Sequence, residues 1–262
     1  MTQADTALAD AALGELLADI VEEAGAGIMP LWRSGLQVDR KADSSPVTEA
    51  DRRGEALILQ RLSEHFPGVP VISEEDASAF GTPDRIGPRF FLVDPLDGTK
   101  AFIRGEEHWT VNIGLIQDQR PVAGAVCAPA WGRTWHTASA GARRREIGKG
   151  AATPMHVRPW PGSGAICLIS HTMKPEQEAE LRARYGYAET LAMDSSAKIC
   201  MIAEAVADIY PRFGTTMEWD IAAAHAVLAG SGGRLETPEG TPFLYGKATE
   251  GFKNGWFVAR GG

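Results

Sequence analysis

The apolar run Phe90-Phe91-Leu92-Val93 passes directly into Asp94-Pro95-Leu96-Asp97-Gly98-Thr99, and this junction constrains the chain more than any other. The run reads as a strand, and Pro95 and Gly98 end it in a turn. That turn sets two carboxylates, Asp94 and Asp97, three residues apart. Hard divalent cations such as Mg²⁺ take oxygen ligands and keep several waters, so a few carboxylates plus a substrate phosphate commonly hold them. Asp, Pro and Gly are also ordinary turn residues, so the segment alone fits a simple loop equally well.

Two further acidic segments stand in similar places. Val69-Pro70-Val71-Ile72 reads as a short strand and ends in Ser73-Glu74-Glu75-Asp76. Glu218-Trp219-Asp220 precedes the small, apolar run from Ile221 to Ala229, which Gly232-Gly233 would stop as helix-terminating glycines. Asp220 is therefore expected to open a helix, where a carboxylate also suits the backbone N–H groups and the dipole. Residues 74–76 also fit a solvated loop.

Taken together, in this order and spacing, these segments resemble the three signature segments of the inositol monophosphatase superfamily, and the resemblance covers nearly the whole chain. A fourth segment, Lys41-Ala42-Asp43-Ser44-Ser45-Pro46-Val47-Thr48-Glu49-Ala50-Asp51, is similar to the family's loop before its second helix. There an aspartate, here Asp51, partners the threonine of the D-G-T turn, here Thr99. Thr48 followed three residues later by an acid also fits a capping box for a helix over 49–62, and both roles can hold at once.

The resemblance implies a layered α-β-α-β-α sandwich of the α/β class. It further implies that Glu74, Asp94, the main-chain carbonyl of Leu96, Asp97 and Asp220 hold two or three Mg²⁺ ions. Four carboxylates in one cleft repel one another unless cations compensate them. Glu74 and the Thr99–Asp51 pair would orient and deprotonate a water, and the N–H groups of Gly98 and Thr99 would receive phosphate oxygens. The implied reaction is metal-dependent hydrolysis of a phosphate monoester, with sensitivity to Li⁺.

Within the superfamily, Lys100, Phe102-Ile103, Thr110-Val111-Asn112-Ile113 and Ala128-Pro129 resemble the 3'(2'),5'-bisphosphate nucleotidase branch. So do Ser195-Ser196-Ala197-Lys198 and Tyr210-Pro211-Arg212-Phe213. The resemblance makes Ser195, Lys198 and Arg212 holders of a 5'-phosphate, with Asp220 also touching substrate and His171, of Ser170-His171, near the nucleotide. Taken individually, Lys198 and Arg212 equally fit surface cations, and His171 a loop residue. The alternative substrate class is a single phosphate on inositol, histidinol or a sugar. A catalytically silent regulator would be expected to lack one of the acidic ligands, and none is missing.

Length and charge agree with this. The 262 residues allow one large domain or two intimately packed ones, with halves expected at 1–155 and 156–262. A net charge of -8 argues against a nucleic-acid polymer as partner; the partner that the resemblance implies is a small phosphate ester, a nucleoside bisphosphate. Arg143-Arg144-Arg145 is expected in a solvated loop over 141–150. Cys127, Cys167 and Cys200 fall in apolar sequence without disulfide or zinc spacing, as small buried hydrophobes do. With neither a signal-like N-terminus nor an apolar run near 18 residues, the expected setting is cytoplasmic, at most peripheral to a membrane.

The remaining pattern is mixed α/β. Leu13, Leu16, Leu17, Ile20, Val21 and Ala24 repeat at helical spacing. Strands are expected over 110–116 and 121–128, joined as a hairpin, and over 134–138, 165–170, 208–210 and 255–259, the last closing a sheet. Helices are expected over 174–185 and 195–207, and His225 is expected as a packed residue.

Overall fold

The computed structural model describes residues 3–35, 37–41 and 46–262, so residues 42–45 of the segment quoted above lie outside the described residues. The chain begins with helix α1 (Gln3–Ile28), a small ladder of β1 (Asp39–Arg40) and β2 (Pro46–Val47), and helix α2 (Glu49–His65). There follow β3 (Val71–Ser73), α3 (Glu74–Phe80), β4 (Arg89–Asp97) and the short α4 (Thr99–Ile103). An antiparallel run comes next: β5 (Thr110–Gln117), β6 (Arg120–Ala128), β7 (Arg133–Ala138), β8 (Gly141–Glu146) and β9 (Ala152–Met155). The second half holds β10 (Ile166–Ile169), α5 (Pro175–Tyr185), β11 (Glu189–Ala192), α6 (Ala197–Ala203), β12 (Ile209–Arg212), α7 (Glu218–Gly230), β13 (Arg234–Glu236) and β14 (Phe257–Arg260).

These strands form a seven-stranded sheet in the order β3-β4-β5-β6-β7-β8-β9 and a five-stranded sheet in the order β11-β10-β12-β14-β13. Side-chain alternation explains the layers. In β4, Phe91 and Val93 join Leu17, Ile20, Val21 and Ile58 in the cluster beneath α1 and α2, while Phe90 and Leu92 face the cluster built on α6 and α7. Both faces of this strand are therefore covered, which is why it reads as an unbroken apolar run. Fully burying each large side chain contributes about 1.5–3 kcal/mol, so the apolar face rather than helix propensity fixes α1. A third cluster, with Cys167, Ile209 and Val258 under Leu181 of α5, covers the outer face of the smaller sheet. The result is the expected α-β-α-β-α sandwich. All three cysteines are buried thiols.

The central layer sets the site. Helix α7 lies so close to the large sheet that a Cβ on Gly114 would come within 2.8 Å of Ala223 N, and one on Gly124 within 2.6 Å of Ala223 O. Two glycines opposite the alanines of α7 thus seat the helix directly on β5 and β6, which brings its first turn beside the end of β4.

Several expectations need correction. Residues 141–146 are strand β8 rather than a solvated loop: Arg145 binds Glu15, Asp19 and Glu22 of α1, and Arg144 reaches Glu204. Alternation along β8 sends successive arginines to opposite acidic partners, which a charge run by itself does not reveal. Residues 74–76 open helix α3 instead of a loop. Strand β14 lies inside the smaller sheet, paired to both β12 and β13, and so does not close it. Helix α6 is shorter than expected, followed by Ala205 at φ 62°. Among the described residues no helix is long and apolar enough to cross a membrane.

Candidate active site

The end of β4 is irregular where it matters. Asp94 pairs with Asn112 and Asp97 with Thr110, and the register shifts between them, so Pro95 and Leu96 form a bulge. The Asp94 side chain accepts a hydrogen bond from Leu96 N at 3.0 Å, which shapes the bulge. Gly98 follows at φ 94°, and a Cβ there would meet His108 O at 2.7 Å. Only glycine fits both that conformation and that close approach. Thr99 then begins α4.

Helix α2 supports this turn from behind. The Thr99 hydroxyl stands 3.1 Å from Asp51 Oδ1 and 3.1 Å from Leu96 O. Asp51 Oδ2 accepts from Thr48 N at 2.7 Å and from Thr48 Oγ1 at 2.8 Å. The capping box and the pairing with Thr99 therefore coexist on one carboxylate, which burial pushes above its usual range against the Thr48 hydrogen bonds.

One turn further along α2, Glu55 organises the second acidic segment. Its Oε1 accepts from Glu75 N and Asp76 N, each at 3.2 Å, and closely from Ser73 Oγ. This satisfies the first N–H groups of α3 and fixes Glu74 at the cavity edge. Lys41 Nζ spans Glu74 and Glu75 at 2.6 Å each. Burial opposes the charge on Lys41, but the two carboxylates outweigh it and hold the ammonium above its ordinary range. Burial pushes Glu75 up to about 7, against the Lys41 hydrogen bond. Sequence reasoning missed Glu55 and Lys41. The spacing of Asp51 and Glu55, one helical turn apart on one face, was the available signal.

The third acid arrives on α7. Asp220 sits in its first turn, two residues inside the helix start, and accepts from Met217 N at 2.8 Å. Asp94 is pushed well above the usual carboxylate range by burial, then by the charges of Glu74, Asp97 and Asp220. Burial is also the main cause for Asp220, followed by Asp97 and Glu74. Asp97 is pushed up to about 6 by burial, against the charge of Lys198.

Across from the acids stand the groups expected to hold a second phosphate. Ser196 N donates closely to Asp97 Oδ2, and Ser196 Oγ donates to Asn112 Oδ1 at 2.8 Å, tying the segment before α6 to the β4 turn. Ser195 takes φ 64° there. Lys198 on α6 is buried, and its Nζ donates to Ser195 O at 2.8 Å and Met193 O at 3.2 Å. An ammonium has three donors, so one is left for a ligand. Burial pulls Lys198 down to about 8, offset by Asp97 and Asp194. Arg212 ends β12 at the cavity wall. His171 is at the rim, its Nδ1 3.5 Å from Asp194 Oδ2 and its ring stacked on His108 at 5.7 Å.

Glu74, Asp94, Leu96, Asp97, Gly98, Thr99, His171, Ser195, Lys198, Arg212 and Asp220 all line one cavity of about 660 Å³. Asp51 stands behind Thr99. The donor set at the acidic end is all oxygen, four carboxylates and a carbonyl, and burial followed by neighbouring negative charge raises Asp94, Asp97 and Asp220, so a hard divalent cation fits them chemically. Among the described residues no three acidic, imidazole or thiol groups form a metal cage by themselves. A Mg²⁺ that keeps waters and uses substrate oxygens needs no such cage.

The chain is similar to known proteins along most of its length. Residues 11–258 match the inositol monophosphatase family. The chain is 35% identical over 233 residues to the 3'(2'),5'-bisphosphate nucleotidase CysQ of Salmonella typhimurium, covering 88% of this chain and 93% of that protein. It is 33% identical over 224 residues to a histidinol-phosphatase of Mycobacterium tuberculosis, covering 80% of this chain and 81% of the other. The crystal structure of CysQ from Bacteroides thetaiotaomicron, described as a bacterial member of the inositol monophosphatase family, superposes with a TM-score of 0.77 at 30% identity, covering 96% of this chain and 97% of that one.

Proposed function

The chain belongs to the inositol monophosphatase family, and from that premise we propose that it is a Mg²⁺-dependent 3'(2'),5'-bisphosphate nucleotidase, converting adenosine 3',5'-bisphosphate to AMP and phosphate in sulfur assimilation. The observation that carries the substrate class is the pair of cations, Lys198 and Arg212, on the wall of the same cavity as the four carboxylates. A monophosphate has one anion to place at the acidic end. A second, cationic end suits a second phosphate, and the similar Salmonella typhimurium protein carries that substrate class in its name, 3'(2'),5'-bisphosphate nucleotidase.

Glu74, Asp94, Asp97, Asp220 and the carbonyl of Leu96 are the residues that would hold two or three Mg²⁺ ions. When bound, such ions supply charge stabilisation of the transferring phosphoryl group and a water acidic enough to activate near neutral pH. The remaining work falls to the chain. The Thr99 hydroxyl accepts a hydrogen bond from the attacking water while donating its own to Asp51, whose raised pKa suits it to take a proton. Glu74, on the wall of the same cavity, helps to orient that water. The N–H groups of Gly98 and Thr99 receive the reacting phosphate oxygens, and Asp220 borders the ester. Ser195, Lys198 and Arg212 hold the phosphate that does not react, with His171 near the nucleoside.

Comparing kcat/KM across adenosine 3',5'-bisphosphate, adenosine 3'-monophosphate, inositol 1-phosphate and histidinol phosphate, with and without Mg²⁺, tests this. The bisphosphate is expected to lead. A lead for histidinol phosphate or inositol 1-phosphate would transfer the chain to the broad monophosphatases, as the similarity to a histidinol-phosphatase allows.

A further inference from the structure

Helix α7 carries Asp220 to the acidic cavity, yet the residue at its cap position is the apolar Met217, where Ser, Thr, Asp or Asn usually holds a helix start. The start is held instead by the segment between β13 and β14. Glu218, the first residue of α7, is fully buried, and its carboxylate accepts from Gly246 N at 2.8 Å and Lys247 N at 3.0 Å. Lys247 Nζ stands 2.6 Å from the same carboxylate. A charge buried this deeply needs such partners. The backbone follows the same course. Glu218 N donates to Phe252 O at 2.9 Å, and Met217 pairs with Lys253 in an antiparallel bridge. Two turns along α7, His225 Nδ1 meets Tyr245 Oη at 2.9 Å.

Asn254, at the end of this segment, reaches Asp220 through one intervening peptide. Its backbone N donates to Thr216 O at 2.9 Å, and its Nδ2 donates to Met217 O at 2.6 Å and to Thr216 Oγ1 at 3.0 Å. A carboxamide has two N–H donors, so both are committed. Thr216 O and Met217 N lie on opposite edges of one planar peptide unit. Asn254 pins one edge, and from the other edge Met217 N donates to Asp220 Oδ2 at 2.8 Å. Asp220 lines the cavity. With Oδ2 taken by the peptide, Oδ1 is the oxygen left for a ligand there. Asn254 itself is buried and stands outside the cavity lining.

We infer that Asn254 is a positioning residue for Asp220: by pinning the Thr216–Met217 peptide it fixes the rotation of the Asp220 carboxylate, and with it the oxygen offered to a divalent cation. The inference rests on the metal-dependent phosphatase reading above, in which Asp220 is a ligand, and adds what orients that ligand. Groups that orient a metal ligand from behind typically contribute roughly ten- to a hundredfold in metal affinity. The Glu218–Lys247 pair anchors the same segment one turn away, so the strap is fixed at both ends.

The test measures the affinity for Mg²⁺ alone by calorimetry, with thermal melts in chelator beside it. The proteins are the wild type, Asn254→Ala, Asn254→Asp, Asp220→Asn, the double variant Asp220→Asn/Asn254→Ala, and Leu235→Ala. Leu235 is buried in the core on β13, so its truncation loosens the same half without touching this peptide. Asn254→Ala is expected to weaken Mg²⁺ roughly ten- to a hundredfold. Asn254→Asp keeps the shape and the backbone N–H but loses both side-chain donors, so it is expected to do the same and serves where Asn254→Ala fails to fold. Leu235→Ala is expected to lower the melting temperature and keep the wild-type affinity. In the Asp220→Asn background, Asn254→Ala is expected to weaken Mg²⁺ no further, because residues that act through one another are not additive. Asn254 variants that keep the wild-type affinity, or that lose the same factor with and without Asp220→Asn, overturn the positioning role and leave Asp220 among the ligands. An Asp220→Asn that binds Mg²⁺ as tightly as the wild type removes Asp220 from the ligand set, and this inference with it.

Discussion

Asp51 holds Thr48 with one carboxylate oxygen and Thr99 with the other: Oδ2 accepts from Thr48 N at 2.7 Å while Oδ1 stands 3.1 Å from Thr99 Oγ1. One side chain thus caps α2 and completes the β4 turn. The two roles separate by mutation. Thr48→Ala removes part of the cap and is expected to cost about 1 kcal/mol of stability with kcat largely kept. Thr99→Ala is expected to lower kcat by roughly a hundred- to ten-thousandfold with little change in melting temperature, and Thr99→Ser to recover most of it. A Thr99→Ala variant that keeps the wild-type kcat would reduce Asp51 to a helix cap.

The acidic end makes an opposite demand on stability and activity. Asp94 is buried among Glu74, Asp97 and Asp220, so its charge is disfavoured in the fold. In chelator at pH 7 to 8, Asp94→Asn is expected to melt higher than the wild type, by an amount on the order of 1 kcal/mol. With millimolar Mg²⁺ the order is expected to reverse, because only the wild type gains full stabilisation from binding, and turnover in the variant is expected to fall at least about a thousandfold. Calorimetry in both buffers, beside a phosphate-release assay, checks this. A variant that gains as much from Mg²⁺ as the wild type would remove Asp94 from the ligand set.

How far the sequence discloses this site depends on what kind of signal each part leaves. The β4 run and its acidic turn are local: strand, Pro95, Gly98 and both aspartates lie within one short segment, so fold and chemistry are legible together. The same is true of α7, whose alanines and terminal glycines mark it. Lys41 and Glu55 act at a distance. Glu55 meets Ser73, Glu75 and Asp76 only because β3 runs parallel to β4 and returns the chain onto α2. Short strands β11 and β13 take their pairing from neighbours far along the chain, and no period-2 pattern of that length stands out. The Arg143 to Arg145 run misleads because charge signals exposure, whereas its partners Glu15, Asp19, Glu22 and Glu204 belong to other elements.

His225 offers a pH test away from the metal end. It is buried in α7, its Nδ1 2.9 Å from Tyr245 Oη, and burial pulls its pKa from 6.5 down to about 4. The unfolded chain therefore binds the proton more readily than the fold does, so stability is full above pH 6.5 and falls as pH drops toward 4. The limiting contribution is about 3 kcal/mol. His225→Gln cannot take that proton and is expected to show a flatter profile between pH 7 and 4.5, measured by urea unfolding. Parallel profiles for the two proteins would mean that His225 charges equally well in the fold.

The substrate reading turns on Arg212. If it binds a phosphate that does not react, Arg212→Ala loses a charge-assisted contact of about 1.5–3 kcal/mol. At about 1.4 kcal/mol per factor of ten, that is roughly a ten- to hundredfold loss in kcat/KM for adenosine 3',5'-bisphosphate. Adenosine 3'-monophosphate lacks that phosphate, so it is expected to be poor with the wild type and little changed by the mutation. The two substrates therefore converge in the variant, and the convergence distinguishes a lost phosphate contact from a general loosening of the cavity. Lys198 lies on the same wall, buried over the Tyr210 ring at 5.1 Å, so it retains part of the anion affinity and the convergence stops short of complete. Were Arg212→Ala to weaken both substrates equally, the arginine would be a structural part of the cavity wall, and the case for a second phosphate would pass to Lys198 alone.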